Sequence, residues 1–294
     1  MKRIVITTLL LTLSTFAAAQ VPRSNHVVLV VEENHSLSQV IGNPAMPYFN
    51  SLASTYALAT QFYANTHPSI GNYFMLTTGN LITNNDSTTA TVTADNIVRH
   101  LLSAGKTWKG YAESLPATGY LGPDVFPYVR RHFPVSFFSD VVHSSVQRLN
   151  LVPFSHFPSD LANGRLPDFS LVIPNLQDDA HNCPAGLGTC SDAQILHAAD
   201  NWLKLHIAPL IANPAFKTDG ILIIVFDEGR GGDNAHGGGH VAALIIGPKV
   251  RRGFKSTRFY QHQNVLRTVL VALGTRTFPG AAAVAAPMAD VFHP

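Results

Sequence analysis

Charge is scarce in this 294-residue chain: Asp, Glu, Lys and Arg make up 13% of it, against 46% hydrophobic residues. A chain this apolar buries a core and does not stay disordered. Its length suits one compact domain, with or without a small insertion. The formal charge is only +2 and no dense Lys/Arg run occurs, so a nucleic-acid footprint is not indicated. Past the N-terminus no stretch is long and apolar enough to read as a membrane span, so stable membrane insertion is not expected. There is no Walker A loop, no GxGxxG opening a helix, no internal repeat and no low-complexity linker. Cysteine is reduced to Cys183 and Cys190. Two cysteines make a poor zinc site; in an exported chain they favour a disulfide that staples a short loop.

What is present begins with a leader-like N-terminus. Lys2 and Arg3 precede an apolar run from Ile4 to Phe16, and Ala17 to Ala19 offer small residues for cleavage before Gln20. Residues 1–19 therefore read as a signal peptide, with an uncleaved anchor as the alternative, and residues 20–294 as the mature domain. Export to the periplasm or the medium is the expectation. Histidine is abundant, with 14 residues, several of them beside acids in glycine-rich loops.

Val27–Val31, Phe169–Ile173, Gly220–Phe226 and Val241–Ile246 are continuous apolar runs that read as buried strands. A further strand is expected near Ala57–Tyr63. Helical spacing marks Pro47–Ala59, Ile70–Thr77, Asp95–Ser103 with Asp95 as its cap, Ser191–Leu210 and Asn264–Leu273. Thr107–Phe138 reads as strands and loops, and Ala281–Ala286 as loop or short helix. Strands alternating with helices imply an α/β fold with a mostly parallel central sheet sandwiched by helices.

In such sheets ligands bind at the carboxyl ends of the strands. Glu32-Glu33-Asn34 and Asp227-Glu228 each follow a buried strand, so both are predicted on one edge. Carboxylates gathered there repel unless a cation joins them, and a divalent metal is the natural partner; two helix caps are the plainer reading. Asp178-Asp179-Ala180-His181 follows the Phe169–Ile173 strand and is expected on the same edge, or is an ordinary acidic turn. Ser69 lies at the start of a predicted helix, where backbone N–H groups and the dipole favour an anion. By residue type alone it is a cap or a nucleophile, and Asn72 stands one turn on. His236 and His240 close the glycine-rich run that begins at Gly229; each is a ligand for metal or phosphate, or a solvated loop histidine.

Three stretches carry a family pattern: His26 to His35 with Glu33-Asn34, Thr66 to Tyr73 with His67-Pro68-Ser69, and Val225 to Gly229 with Asp227-Glu228. In this order they resemble the bacterial phosphoesterase family, which contains acid phosphatases and phosphocholine-type phospholipases C and is similar in fold to the alkaline phosphatase superfamily. The likeness runs from about His26 to about Pro248, and Asn201-Trp202-Leu203 also fits. The resemblance implies that Glu33, Asn34, Asp227 and Glu228 hold a metal and that Ser69 is the nucleophile, in a helix like that of nucleotide pyrophosphatases. It implies that Asn72 binds phosphate, that Asp179 and His181 lie near the substrate, and that His132 matches a family His-Asn-Pro segment. The chain departs from the pattern at Gly71, where the family usually has Pro, and at Phe133, where it usually has Asn. Glu228 occupies a position often held by His in alkaline phosphatases, so one metal is expected and not two. Oxygen-rich ligands suit Ca, Mg, Mn or Fe, with Zn also open.

The resemblance thus implies an exported, metal-dependent acid phosphatase acting on small phosphomonoesters through a phosphoserine. The expected roles are Ser69 as nucleophile, His181 or His240 as proton donor, and Asn72, His132, Asp179 and His240 as substrate-binding residues. The alternatives are a phospholipase C-type phosphodiesterase and an inactive relative that keeps the metal and phosphate site. A sulfatase is disfavoured, because no Cys/Ser-x-Pro-x-Arg arrangement surrounds the nucleophile.

Overall fold

The computed structural model describes residues 19–294. The leader expected over residues 1–19 lies, apart from Ala19, outside the described residues. Ten strands follow in chain order: β1 Val27–Glu32, β2 Ala57–Ala59, β3 Phe62–Tyr63, β4 Trp108–Ala112, β5 Leu151–Pro153, β6 Phe169–Ile173, β7 Ile221–Phe226, β8 Ala243–Ile246, β9 Lys255–Ser256 and β10 Tyr260–Gln261. Eight of them form one sheet in the order β5-β4-β6-β1-β7-β8-β2-β9, while β3 and β10 pair separately. The run from β5 to β7 is parallel throughout; β8 alone is reversed against both its neighbours, β7 and β2. The expected α/β architecture with a mostly parallel sheet is therefore what the chain adopts.

The central strands form where the sequence is apolar on both faces. β1, β6 and β7 are buried along their whole length, as strands covered on both sides must be. Helices Ser69–Thr78, Ile97–Ser103 and His262–Leu273 pack together, as do Pro47–Thr55 and Asp192–Ala212. Parallel pairing of β1 with β6 and β7 aligns Val27 with Phe169 and Ile221, and Glu32 with Phe226. Three carboxyl ends thus stop at one level, and the residues just beyond them meet.

Several boundaries differ from the sequence reading. Pro47–Ala59 is helical only to Thr55, and the strand expected over Ala57–Tyr63 breaks at Thr60-Gln61 into β2 and β3, which join different sheets. The cap of the Ile97–Ser103 helix is Asn96, whose side chain accepts the Arg99 N–H, and not Asp95. Asp95 instead accepts from His100 at 2.8 Å. The tail forms a short 3-10 turn, Gly280–Ala283. Cys183 and Cys190 are bonded, as expected.

The Pro47–Thr55 helix has no side-chain cap of its own. Its exposed N–H groups are met from another helix: the buried Asp200 carboxylate accepts from Tyr48 N at 3.0 Å and Phe49 N at 2.7 Å. Asp200→Ala strands both donors, and each buried unmet donor costs about 1–3 kcal/mol. A clear fall in the thermal midpoint is expected; an unchanged midpoint contradicts this account.

Candidate active site

The edge where β1, β6 and β7 end is tied together by backbone first. Glu33 N–H donates to the Asp179 carbonyl at 2.7 Å, and Asp227 N–H to the Glu32 carbonyl at 2.9 Å. Asp227 Oδ1 then accepts from Asn34 N at 3.1 Å and Glu228 N at 2.6 Å. The predicted acidic groups are therefore brought together. Asn34 adopts a left-handed backbone with φ of 48°, as do Ser114, Ala180 and His236. Each of these four follows the carboxyl end of β4, β6, β7 or, for Asn34, β1. Strained backbone of this kind is held by its surroundings and clusters at functional sites.

Ser69 opens the Ser69–Thr78 helix directly after Pro68 and is buried. Its Oγ lies 3.1 Å from Glu33 Oε2 and 3.1 Å from Glu228 Oε1. A hydroxyl has one hydrogen, so it donates to one of them at a time. One turn on, Tyr73 donates from its hydroxyl to Glu33 Oε1 at 2.6 Å. The Tyr73 ring stacks on His132 with centroids 5.0 Å apart and planes 7° from parallel. His132 Nε2 is 3.3 Å from Glu33 Oε1, and its Nδ1 is 3.7 Å from Asp179 Oδ2. On the other flank His67 Nδ1 meets Glu228 Oε2 at 2.8 Å, and His67 Nε2 meets the Asp233 carbonyl at 2.9 Å.

Four acids converge on a space with little water. Burial pushes Glu33 and Asp179 well above the carboxylate range, with Asp227 adding to both shifts by like charge. Burial likewise pushes Asp227 up to about 8, with Glu228 adding, and Glu228 itself up to about 7. His132 is driven the other way and kept neutral by burial. Buried polar atoms normally find partners, yet Asp179 Oδ2, Asp227 Oδ2 and both His132 ring nitrogens form no hydrogen bond. Glu33, His132 and Asp179 also place ligand atoms within 4.8 Å of one another. Carboxyl oxygens without donors, able to ionise against a cation, and a neutral imidazole are a metal-ligating set, so this buried group could hold a metal ion.

The remaining predicted residues sit differently. Asn72 is fully buried, and its amide is spent on the turn before Ser69: Oδ1 accepts from Asn65 N at 2.9 Å and Thr66 N at 3.2 Å, while Nδ2 donates to the Thr66 carbonyl at 2.8 Å. His240 stacks on Tyr63, and its Nε2 binds the Thr60 carbonyl at 2.9 Å, so it is not gathered with the carboxylates. His181 is near: its N–H donates to Asp179 Oδ1 at 2.9 Å, its ring lies 6.3 Å from His132, and Nδ1 meets the Asn182 amide oxygen. Both departures from the family pattern have local reasons. A Cβ on Gly71 would fall 2.3 Å from Asn84 Oδ1 and 2.5 Å from Thr66 Cγ2. Phe133 is buried against the bare face of Gly110, which seats the adjoining His132. Two residues were missed in the sequence reading. Tyr73 follows Ser69 by four, one helical turn, a spacing that puts both on one face. His67 stands in the His67-Pro68-Ser69 motif, two residues before the serine, and that position is its signal.

The family model of the phosphoesterase family matches residues 42–272. A phosphatidylinositol-3-phosphatase of Mycobacterium tuberculosis is 35% identical over 278 residues, covering 94% of this chain and 85% of that one. An acid phosphatase of Aspergillus fumigatus is 31% identical over 74% of this chain. The chain spans about half the length of the fungal relatives, 48% of that one and 56% of a probable acid phosphatase of Kluyveromyces lactis. A Vibrio parahaemolyticus protein of the alkaline phosphatase superfamily superposes with a TM-score of 0.61 over 93% of this chain and 73% of its own, at 16% identity. That likeness carries the fold alone.

The raised carboxyls give a pH dependence with a definite sign. A carboxyl whose folded pKa is raised stabilises the fold at low pH, and that contribution is lost as pH rises through the folded value. Above about 6.5, the ordinary histidine value, buried histidines add no opposing slope, while Asp227 still titrates near 8. The thermal midpoint of chelator-treated protein is therefore expected to fall from near-neutral to mildly alkaline pH, and added divalent cation to release protons and flatten the slope. A midpoint that rises across that range in chelated protein contradicts this electrostatic picture.

Proposed function

Since the chain belongs to the phosphoesterase family and is a hydrolase of phosphoester bonds, we propose that it is an exported, metal-dependent acid phosphatase that hydrolyses phosphomonoesters through a phosphoserine on Ser69. The observation that carries this reading is the Ser69 hydroxyl, set at a helix start between Glu33 and Glu228 at 3.1 Å from each. Two relatives named as acid phosphatases support the monoester, and the disulfide suits an oxidising compartment.

The residues divide the work by position. Glu33, Asn34, Asp227 and Glu228 would hold a divalent cation beside Ser69, with His132 and Asp179 completing the buried donors around Glu33. What such a cation supplies when bound is a lowered pKa at the serine hydroxyl and neutralisation of phosphate charge. Ser69 Oγ gives its proton to the facing carboxylate and forms a bond to phosphorus as the bond to the leaving oxygen breaks. Backbone N–H groups of the helix start face the developing charge. His181 delivers a proton to the leaving oxygen, and water then cleaves the phosphoserine. Tyr73 keeps Glu33 oriented by its 2.6 Å bond. Asn72 acts through the Asn65-Thr66 turn it clamps, as a positioning residue.

Ser69→Ala is expected to lower turnover of p-nitrophenyl phosphate by several orders of magnitude while elemental analysis still finds the metal. Near-wild-type turnover in that variant overturns the nucleophile assignment. The p-nitrophenyl ester of phosphorylcholine is expected to react far more slowly than the monoester; the reverse order makes the protein a phosphodiesterase. Because the Mycobacterium tuberculosis relative is named for a phosphoinositide, phosphatidylinositol 3-phosphate belongs in the same panel.

A further inference from the structure

The charges of this chain are unevenly placed. From Asn234 to the C-terminus there is one acid, Asp290, against seven cations: Lys249, Arg251, Arg252, Lys255, Arg258, Arg267 and Arg276. Five of the seven fall between Lys249 and Arg258, interspersed with other residues, which is why they do not stand out as a run. The fold collects them along the outermost strand of the sheet. β9 carries Lys255 and borders only β2, pairing Leu58 with Lys255 and Ala59 with Ser256. Arg252, Lys255, Arg258 and Phe259 are exposed, Phe259 to 51%.

Among the described residues, the one acid paired with these cations is Asp290, and the Lys255 ammonium donates to the Ala53 carbonyl. β2 and the Pro47–Thr55 helix belong to a stretch, residues 34–85, that contains no Asp, Glu, Lys or Arg at all. The Asp290 carboxylate is already engaged by Ser256 Oγ at 2.5 Å and Tyr260 OH at 2.6 Å; Arg258 Nε approaches it at 3.8 Å, and Arg251 donates to the Asp290 backbone carbonyl at 3.1 Å. Aromatic rings are threaded through the cations: Arg251 lies 3.6 Å above Phe254 and Arg252 4.6 Å above Tyr56.

We propose that this edge is a docking surface for an anionic membrane, with Arg252, Lys255 and Arg258 meeting lipid headgroups and Phe259 seated at the interface. Cations combined with exposed aromatic surface suit the headgroup region, where each contributes. A nucleic acid fits less well. Sequence-tolerant strand binding uses open aromatic faces, whereas Phe259 is stacked on Tyr63 at 5.5 Å and abutted by His236 at 4.8 Å. Because β9 runs parallel to β2 and β7, Phe259 follows the strand end on the edge where Ser69 lies. Docking there brings the catalytic edge toward the lipid surface.

The test is co-sedimentation of the full chain, without substrate, with vesicles of phosphatidylcholine alone and of phosphatidylcholine mixed with phosphatidylglycerol. Its outcome is therefore independent of the catalytic reading. Binding to the anionic vesicles, released by added salt, is expected. Arg252→Ser, Lys255→Ser and Arg258→Ser combined should weaken it on the order of a hundredfold, at about fivefold per cation. Phe259→Ser should weaken binding while leaving its salt dependence in place. Melting curves confirm that the variants remain folded. Equal binding by wild type and the triple variant, equal binding to neutral vesicles, or preference for duplex DNA over anionic vesicles overturns the proposal.

Discussion

The structure depends on one unfavourable arrangement: four buried carboxyl groups facing each other at the end of a parallel sheet. Glu33, Asp179, Asp227 and Glu228 would repel one another as anions, and burial removes the water that would otherwise soften the repulsion. The chain answers with backbone donors to Asp227, with hydroxyl donors from Ser69 and Tyr73, and with the imidazole of His67. It does not answer fully, since Asp179 Oδ2 and Asp227 Oδ2 are left without a donor. Asp179 with this open oxygen joins Glu33 and His132 in a buried group that could hold a metal ion.

Ser69 gains its chemical character from this setting. A serine at a helix start is often its cap, but here Pro68 holds the cap position and the hydroxyl of Ser69, the first helical residue, is directed at two carboxylates. Two of the acids crowded together at this edge, Glu33 and Glu228, are the ones that flank the serine hydroxyl. Tyr73 and His132, stacked face to face, press on Glu33 from the far side, so the carboxylate is oriented before any substrate arrives.

Much of this was legible in the sequence, and the reason is topological. Apolar runs ending abruptly in Glu33-Asn34, Asp179 and Asp227-Glu228 are what buried parallel strands look like, and parallel strands must end on one edge. The long Asp192–Ala212 helix and the disulfide were legible for similar local reasons. What could not be read were contacts that depend on how separate elements pack. The split of Ala57–Tyr63 follows from pairing with β8 and β10. Asp95 yields the cap to Asn96 because His100 claims its carboxylate. The resemblance assigns Asn72 to phosphate, whereas in the fold its amide closes the turn before Ser69. His240 and Glu228 belong to the same glycine-rich segment, yet only Glu228 reaches the serine; no periodicity encodes that difference.

The single reversed strand has its own consequence. Because β8 runs against β7, the segment joining them leaves and re-enters the sheet at the same edge, like the handle of a cup. Its base is pinned, with Gly229 N–H bonded to the Gly238 carbonyl at 2.7 Å, while the part between, from Arg230 to Gly237, is largely exposed. The handle is nonetheless tied to the serine's flank, because His67 bridges its Asp233 carbonyl to the Glu228 carboxylate. Edits between Arg230 and Gly237 that keep Asp233 bonded to His67, Ser36 and His240 leave this anchor intact, whereas loss of Asp233 is transmitted through His67 to Glu228.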